Sequence, residues 1–209
     1  MSEIKMKENS GKYEVNNCCA IILAAGQSKR LGNPKQLLEY QAKTLLQHAI
    51  DCAKKADLTA IVVVLGSNEE LIKRSIDVAG VTVVSNTNWQ AGMASSIVCG
   101  INAVKKIEPV PDSVILMVCD QPFVNEDLIG KLLTEQRNTG KLMVASRYQE
   151  VTGTPALFHQ SLFEELALLQ GDAGGRKLIN QHPGDVALVT FPKGSIDIDT
   201  LGDYQKLVS

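Results

Sequence analysis

The feature that most constrains this chain is an alternation. Short apolar runs rich in β-branched residues recur along it, at Cys19–Leu23, Ile61–Leu65, Val81–Ser85, Val114–Val118, Leu142–Ala145 and Val186–Thr190. They are short and carry no charge, as expected of strands buried on both faces of a largely parallel sheet. The stretches between them have helical spacing instead. Thr44 is placed to cap a helix presenting Leu45, Leu46, Ala49, Ile50 and Ala53 on one face. Ala94–Lys105 groups Ile97, Ile101 and Val104, and Asn125 is placed to cap a helix presenting Leu128, Ile129, Leu132 and Leu133. Alternating β and α elements predict a doubly wound, three-layer α/β/α sheet with crossover helices. No repeat or low-complexity linker divides residues 18–209, which read as one domain. Met1–Asn17 is polar and lacks periodicity, and reads as a flexible leader.

Composition narrows the function classes. Twenty-one basic residues against twenty-three acidic give a net charge of -2, unlike the basic domains of nucleic-acid binders. No apolar run approaches the ~20 residues that span a bilayer, so no membrane partner is expected. Five cysteines (Cys18, Cys19, Cys52, Cys99, Cys119) lie among aliphatic neighbours without a C-x-x-C pair. His48, His159 and His182 are scattered, so no zinc-site spacing appears. Reduced core cysteines in a cytoplasmic protein are the expectation.

In open α/β sheets, ligands bind beyond the carboxyl ends of the strands. After the first strand comes Leu23-Ala24-Ala25-Gly26-Gln27-Ser28-Lys29-Arg30-Leu31-Gly32-Asn33-Pro34-Lys35. Small residues there let backbone N–H groups approach an anion, and Arg30 and Lys35 suit a triphosphate as fork and point charge. The loop is neither a Walker A sequence nor G-x-G-x-x-G. A plain glycine-rich turn with solvated charges is the alternative. Later, Val118 leads into Cys119-Asp120-Gln121-Pro122-Phe123. An aspartate at a strand's carboxyl end can hold Mg²⁺ against phosphate oxygens, or simply make a turn before proline. In Ile196-Asp197-Ile198-Asp199-Thr200, the two carboxylates alternate and can share a face of an extended segment. Equally, Asp199 or Thr200 is placed to cap the last helix. Trp89 reads as a core residue.

These motifs together resemble the nucleotidyltransferases related to molybdenum cofactor guanylyl- and cytidylyltransferases. The resemblance rests on L-A-A-G-x-S-x-R-x-G-x-P-K, C-D-Q-P-F, N-x-x-W-x-x-G-M-x-x-S, G-x-P-x-x-F and the D-I-D-T ending, and it spans about Cys18 to Leu207. Gly171-Asp172-Ala173-Gly174-Gly175-Arg176 is similar to a further family motif, G-D-x-G-A-R, but has Gly175 in place of alanine. The resemblance implies a Rossmann-like nucleotidyltransferase fold and transfer of CMP from CTP to molybdopterin, with release of pyrophosphate. Leu-Ala-Ala-Gly is similar to the cytidylyltransferase branch and favours CTP over GTP. It further implies nucleotide binding by Leu23, Ala24, Ala25, Gly26, Ser28, Arg30, Lys35, Gly92 and Ser96. Mg²⁺, or Mn²⁺ in its place, is expected on Asp120 and Asp197. Arg30, Lys35 and Asp120 would carry catalysis, and Gly153, Pro155, Asp172 and Arg176 would face the acceptor. Helix capping is an equal reading for Asp172. A molybdenum hydroxylase is the implied client. Other acceptors (sugar, alditol or methylerythritol phosphates), GTP, and a non-catalytic maturation chaperone stand as alternatives.

Overall fold

A computed structural model describes residues 17–209. The leader expected at Met1–Asn17 therefore lies outside the described residues, apart from Asn17 itself. The chain enters the sheet at once through β1 (Cys18–Leu23), whose six residues alternate between its two faces. Cys18, Ala20 and Ile22 pack into one core, while Cys19 and Ile21 pack into the other. A long loop and a small hairpin, β2 (Glu39–Tyr40) and β3 (Lys43–Thr44), lead to α1 (Leu45–Lys55). The Thr44 hydroxyl accepts from the Gln47 N–H at 3.1 Å, the expected cap. The chain then runs through β4 (Ala60–Leu65), α2 (Glu69–Arg74), β5 (Thr82–Ser85), α3 (Met93–Val104) and β6 (Ser113–Val118). Next come α4 (Glu126–Thr139), β7 (Met143–Tyr148) and β8 (Val151–His159). Asn125 caps α4 through the Leu128 N–H at 3.0 Å, as expected. The remaining elements are α5 (Phe163–Ala167), α6 (Arg176–Gln181), β9 (Val186–Thr190) and α7 (Leu201–Val208).

The seven-stranded sheet has the order β5-β4-β1-β6-β8-β7-β9. Six strands run parallel, and β8 runs antiparallel to both β6 and β7. The mostly parallel α/β/α architecture is as expected, but β8 is an addition to it. Its Gly153 and Pro155 argue against a central strand. The sheet absorbs them through a register shift: Ala145 pairs with Ala156, whereas Ser146 pairs with Gly153. The Ser146 hydroxyl then donates to the Pro155 carbonyl at 2.7 Å. All five cysteines are free, and all but Cys99 are fully buried.

Topology fixes where a ligand can sit. From β1 the chain moves outward to β4 and β5, then returns to β6 on the other side of β1. The carboxyl ends of β1, β5 and β6 consequently open at one edge, at the point where the winding reverses.

Candidate active site

A cavity of about 530 Å³ opens at that edge. It is lined by Leu23, Ala24, Ala25, Gly26, Ser28 and Lys35 from the first loop, by Gly92 and Ser96 at the start of α3, and by Asp120 after β6. Nearly every residue expected at a nucleotide thus lies on one surface. Arg30 lines an adjoining cavity of about 290 Å³ with Lys35 and Asp199.

The first loop is shaped from below by Gln36, which sequence reasoning missed. Gln36 is only 1% exposed, and its amide donates to the Ala24 carbonyl at 2.7 Å and the Gly26 carbonyl at 2.9 Å. Both carbonyls are thereby satisfied, as a loop that is to offer its N–H groups to an anion requires. Ser28 adopts φ 57°, an uncommon conformation for a residue other than glycine, and its hydroxyl accepts from the Lys35 N–H at 2.9 Å. A glutamine directly after the cation of an otherwise polar loop was the available signal.

The charges converge on Lys35. Its Nζ donates to Asp120 Oδ2 and, at 3.0 Å, to Asp199 Oδ1. Arg30 donates to the other oxygen of Asp199 at 2.7 Å. Burial opposes the Lys35 charge, but Asp120 and Asp199 outweigh it and raise its pKa. Burial likewise opposes the Asp199 charge, and Lys35 and Arg30 reverse that effect and hold its carboxyl below the usual range. The Ile198 N–H donates to the Asp120 carbonyl at 3.0 Å, which pins the C-terminal segment to the loop after β6.

The D-I-D-T segment divides its tasks. Thr200 alone caps α7, in a reciprocal box with Asp203, so Asp199 is released from capping and joins Lys35. Asp197 is exposed, and burial of part of its carboxyl, then Asp199 and Asp120, raise its pKa. Among the described residues, no group of three or more His, Cys, Asp or Glu side chains is gathered closely enough to enclose a metal. Two carboxylates that already share one cation nevertheless offer the hard oxygen donors that Mg²⁺ and Mn²⁺ take, with phosphates and water completing the shell.

The second nucleotide segment is held by close backbone approaches. Gly92 has φ 100°, and a Cβ there would lie 2.6 Å from Asp172 Oδ1 and against the Gly171 carbonyl. That same carbonyl accepts from the Ala94 N–H at 3.0 Å, so one N–H at the start of α3 is spent on the fold and not on a ligand. Asn86 donates to Ser95 at 2.8 Å and to Ser96 at 3.0 Å, fixing the Ser96 hydroxyl. Trp89, read as a core residue, is only partly buried: it packs against one core and also lines the cavity.

Of the residues expected to face an acceptor, Gly153 and Arg176 line a second cavity of about 160 Å³ that shares Met93 and Val118 with the first. Pro155 is buried within β8, and Asp172 lines the nucleotide cavity. Capping is excluded for Asp172, because Gly175 occupies the N-cap of α6. The Gly175 substitution also has a steric reason: a Cβ there would meet Phe158 Cζ at 2.7 Å and Leu116 Cδ1 at 3.2 Å.

No helix among the described residues is long and apolar enough to cross a membrane. Residues 20–186 match the MobA-like NTP transferase domain. A curated relative, nicotine blue oxidoreductase of Paenarthrobacter nicotinovorans, is 29% identical over 199 residues, covering 90% of this chain and 95% of its own. The solved structure of Rv0371c from Mycobacterium tuberculosis H37Rv superposes with a TM-score of 0.78 at 28% identity, covering 93% of this chain and 98% of that one. A second structure of Rv0371c, in complex with manganese, gives 0.77 at 27% identity and the same coverage. With a cradle after β1, an aspartate after β6 and a sequence match across most of its length, the chain belongs to the MobA-like NTP transferase family.

Proposed function

We propose that this transferase moves CMP from CTP to the phosphate of molybdopterin, or of its molybdenum-loaded form, and releases pyrophosphate. The observation that carries this reading is the convergence of Lys35, Asp120 and Asp199 at the mouth of the loop cradle. Lys35 and Arg30 hold the triphosphate, Ser96 and Gly92 contact the nucleoside, and Ala25 in Leu-Ala-Ala-Gly favours cytosine. Asp120 with a C-terminal carboxylate, Asp197 or Asp199, holds Mg²⁺ or Mn²⁺. When bound, such an ion supplies charge neutralisation on the phosphate oxygens. An acceptor phosphate oxygen forms the new bond to the α-phosphorus as the bond to pyrophosphate breaks. The acceptor is already ionised near neutral pH, so no strong general base is needed. The chain's share of catalysis is placement and electrostatics. A molybdenum hydroxylase would receive the product.

Pyrophosphate release tests the reading, with CTP or GTP offered alongside molybdopterin, sugar phosphates, alditol phosphates and methylerythritol phosphate, in Mg²⁺ or Mn²⁺. CTP with molybdopterin should be the preferred pair. Asp120→Ala should abolish turnover, and Lys35→Ala should lower it on the order of 10²-fold or more. Full activity of Asp120→Ala at saturating metal would refute the assignment. CTP binding without pyrophosphate release from any acceptor would point to a maturation chaperone. Because one relative carries an oxidoreductase name, consumption of a reduced cofactor should be followed in parallel. Such consumption without pyrophosphate release would replace the transferase reading altogether.

A further inference from the structure

Tyr148, at the end of β7, does not line the larger cavity, yet it lines the smaller one that adjoins it. It is half-buried and lines the 160 Å³ cavity with Thr152, Thr154 and Arg176. Two glycines make room for it. A Cβ on Gly153 would fall on the phenol oxygen, and one on Gly194 would fall on the ring, 2.9 Å from its Cγ. The ring is thus clamped between β8 and the turn that precedes the D-I-D-T segment.

Beside it, buried Gln121 is tied on both sides. Its amide nitrogen donates to the Gly194 carbonyl at 3.0 Å, and its oxygen accepts from the Thr154 hydroxyl at 3.1 Å. Gln121 directly follows Asp120, so the frame around Tyr148 is continuous with the reacting end of the nucleotide cavity. A clamped phenol is a neutral donor with little rotamer freedom left to lose on binding. Arg176 is a cation lining the same cavity.

We propose that the Tyr148 hydroxyl and the Arg176 guanidinium together receive the phosphate monoester of the acceptor, which makes Tyr148 an acceptor-binding and specificity residue. This rests on the transferase reading, in which the acceptor enters beside the nucleotide. The arrangement fits because a hydroxyl and a planar guanidinium lining one cavity can address different oxygens of one phosphate.

Phenyl phosphate and inorganic phosphate serve as probes, titrated calorimetrically into the full chain preloaded with CTP and Mg²⁺. Wild type should bind phenyl phosphate. Tyr148→Phe, which keeps the ring between its two glycines, should weaken that binding about tenfold, the value of one hydrogen bond to a charged group. Its CTP affinity should be unchanged. Arg176→Met should weaken phenyl phosphate further without affecting CTP. Equal binding by wild type and Tyr148→Phe, or no binding of either probe by wild type, would overturn the proposal. The two readings separate cleanly. Binding that depends on Tyr148 in a chain that never releases pyrophosphate upholds the subsite and sinks the transferase reading. Pyrophosphate release with probe binding indifferent to Tyr148 does the reverse.

Discussion

Gln36 shows how a single buried side chain can shape the loop that lines a cavity. Its amide spans the carbonyls of Ala24 and Gly26, and those bonds hold the backbone of the cradle in one conformation. Gln36→Leu, of similar size, removes both bonds and leaves two inward carbonyls without their donor. It should cost about 1–2 kcal/mol of stability and raise the nucleotide KM about tenfold, with a smaller change in kcat. Chemical denaturation together with steady-state kinetics checks both, and an unchanged KM would show that the loop holds itself. The charged residues were more legible than Gln36. Arg30, Lys35 and Asp120 stand out in the sequence because cations and carboxylates are seldom spaced in this way beside buried strands. Asp199 and Thr200 were both candidates for the cap of the last helix, since capping is a local property and the partnership of Asp199 with Lys35 is not.

At the scale of elements, α3 carries Gly92 and Ser96 to the cavity by lying very close to β1. A Cβ on Gly100 would approach Ile21 Cγ2 to 2.6 Å and Val64 Cγ2 to 3.3 Å. Glycine lowers helix propensity by about 1 kcal/mol relative to alanine, so on propensity alone Gly100→Ala would stabilise the chain. Overpacking should win, with a net loss of about 1–2 kcal/mol and weaker CTP binding as the helix start is displaced. Denaturant melts and CTP titrations of the variant decide it, and a stabilised Gly100→Ala would show that α3 can move off the sheet freely. The helices capped by Thr44 and Asn125 were legible because a cap and a 3.6-residue stripe are short-range signals. The short α2 and α5 offer at most two turns of pattern and were not foreseen, and α6 was anticipated only through the capping reading of Asp172, three residues before its N-cap Gly175. Strand β8 was hidden for a different reason. Its glycine and proline look like a loop, and only the register shift opposite Ala145 and Ser146 makes them tolerable.

For the whole molecule, the sheet separates two cores, and stability on the acid side depends on carboxylates whose charge the fold favours. Asp51 on α1 is one: Lys43 reaches it at 2.5 Å and Gln47 at 2.7 Å. Partial burial would raise its pKa, but the bonds from Lys43 and Gln47 prevail and lower it. A carboxyl depressed in the folded state contributes stability above its unfolded pKa of about 3.9 and loses it as pH falls through the folded value. Asp51→Asn should therefore be less stable than wild type near neutrality, with the difference shrinking below about pH 4. Thermal melts across that range test the sign, and a pH-independent difference would place the effect in packing instead. The sequence by itself determined the α/β alternation, the small-residue loop after β1 and the aspartate after β6, because each is written within a few neighbouring residues. Only the tertiary structure decided that β8 enters the sheet antiparallel and that Asp199 meets Lys35 across 164 positions of chain. It also placed Tyr148 between two distant glycines. Such contacts depend on how whole elements pack and return, and no local pattern records that.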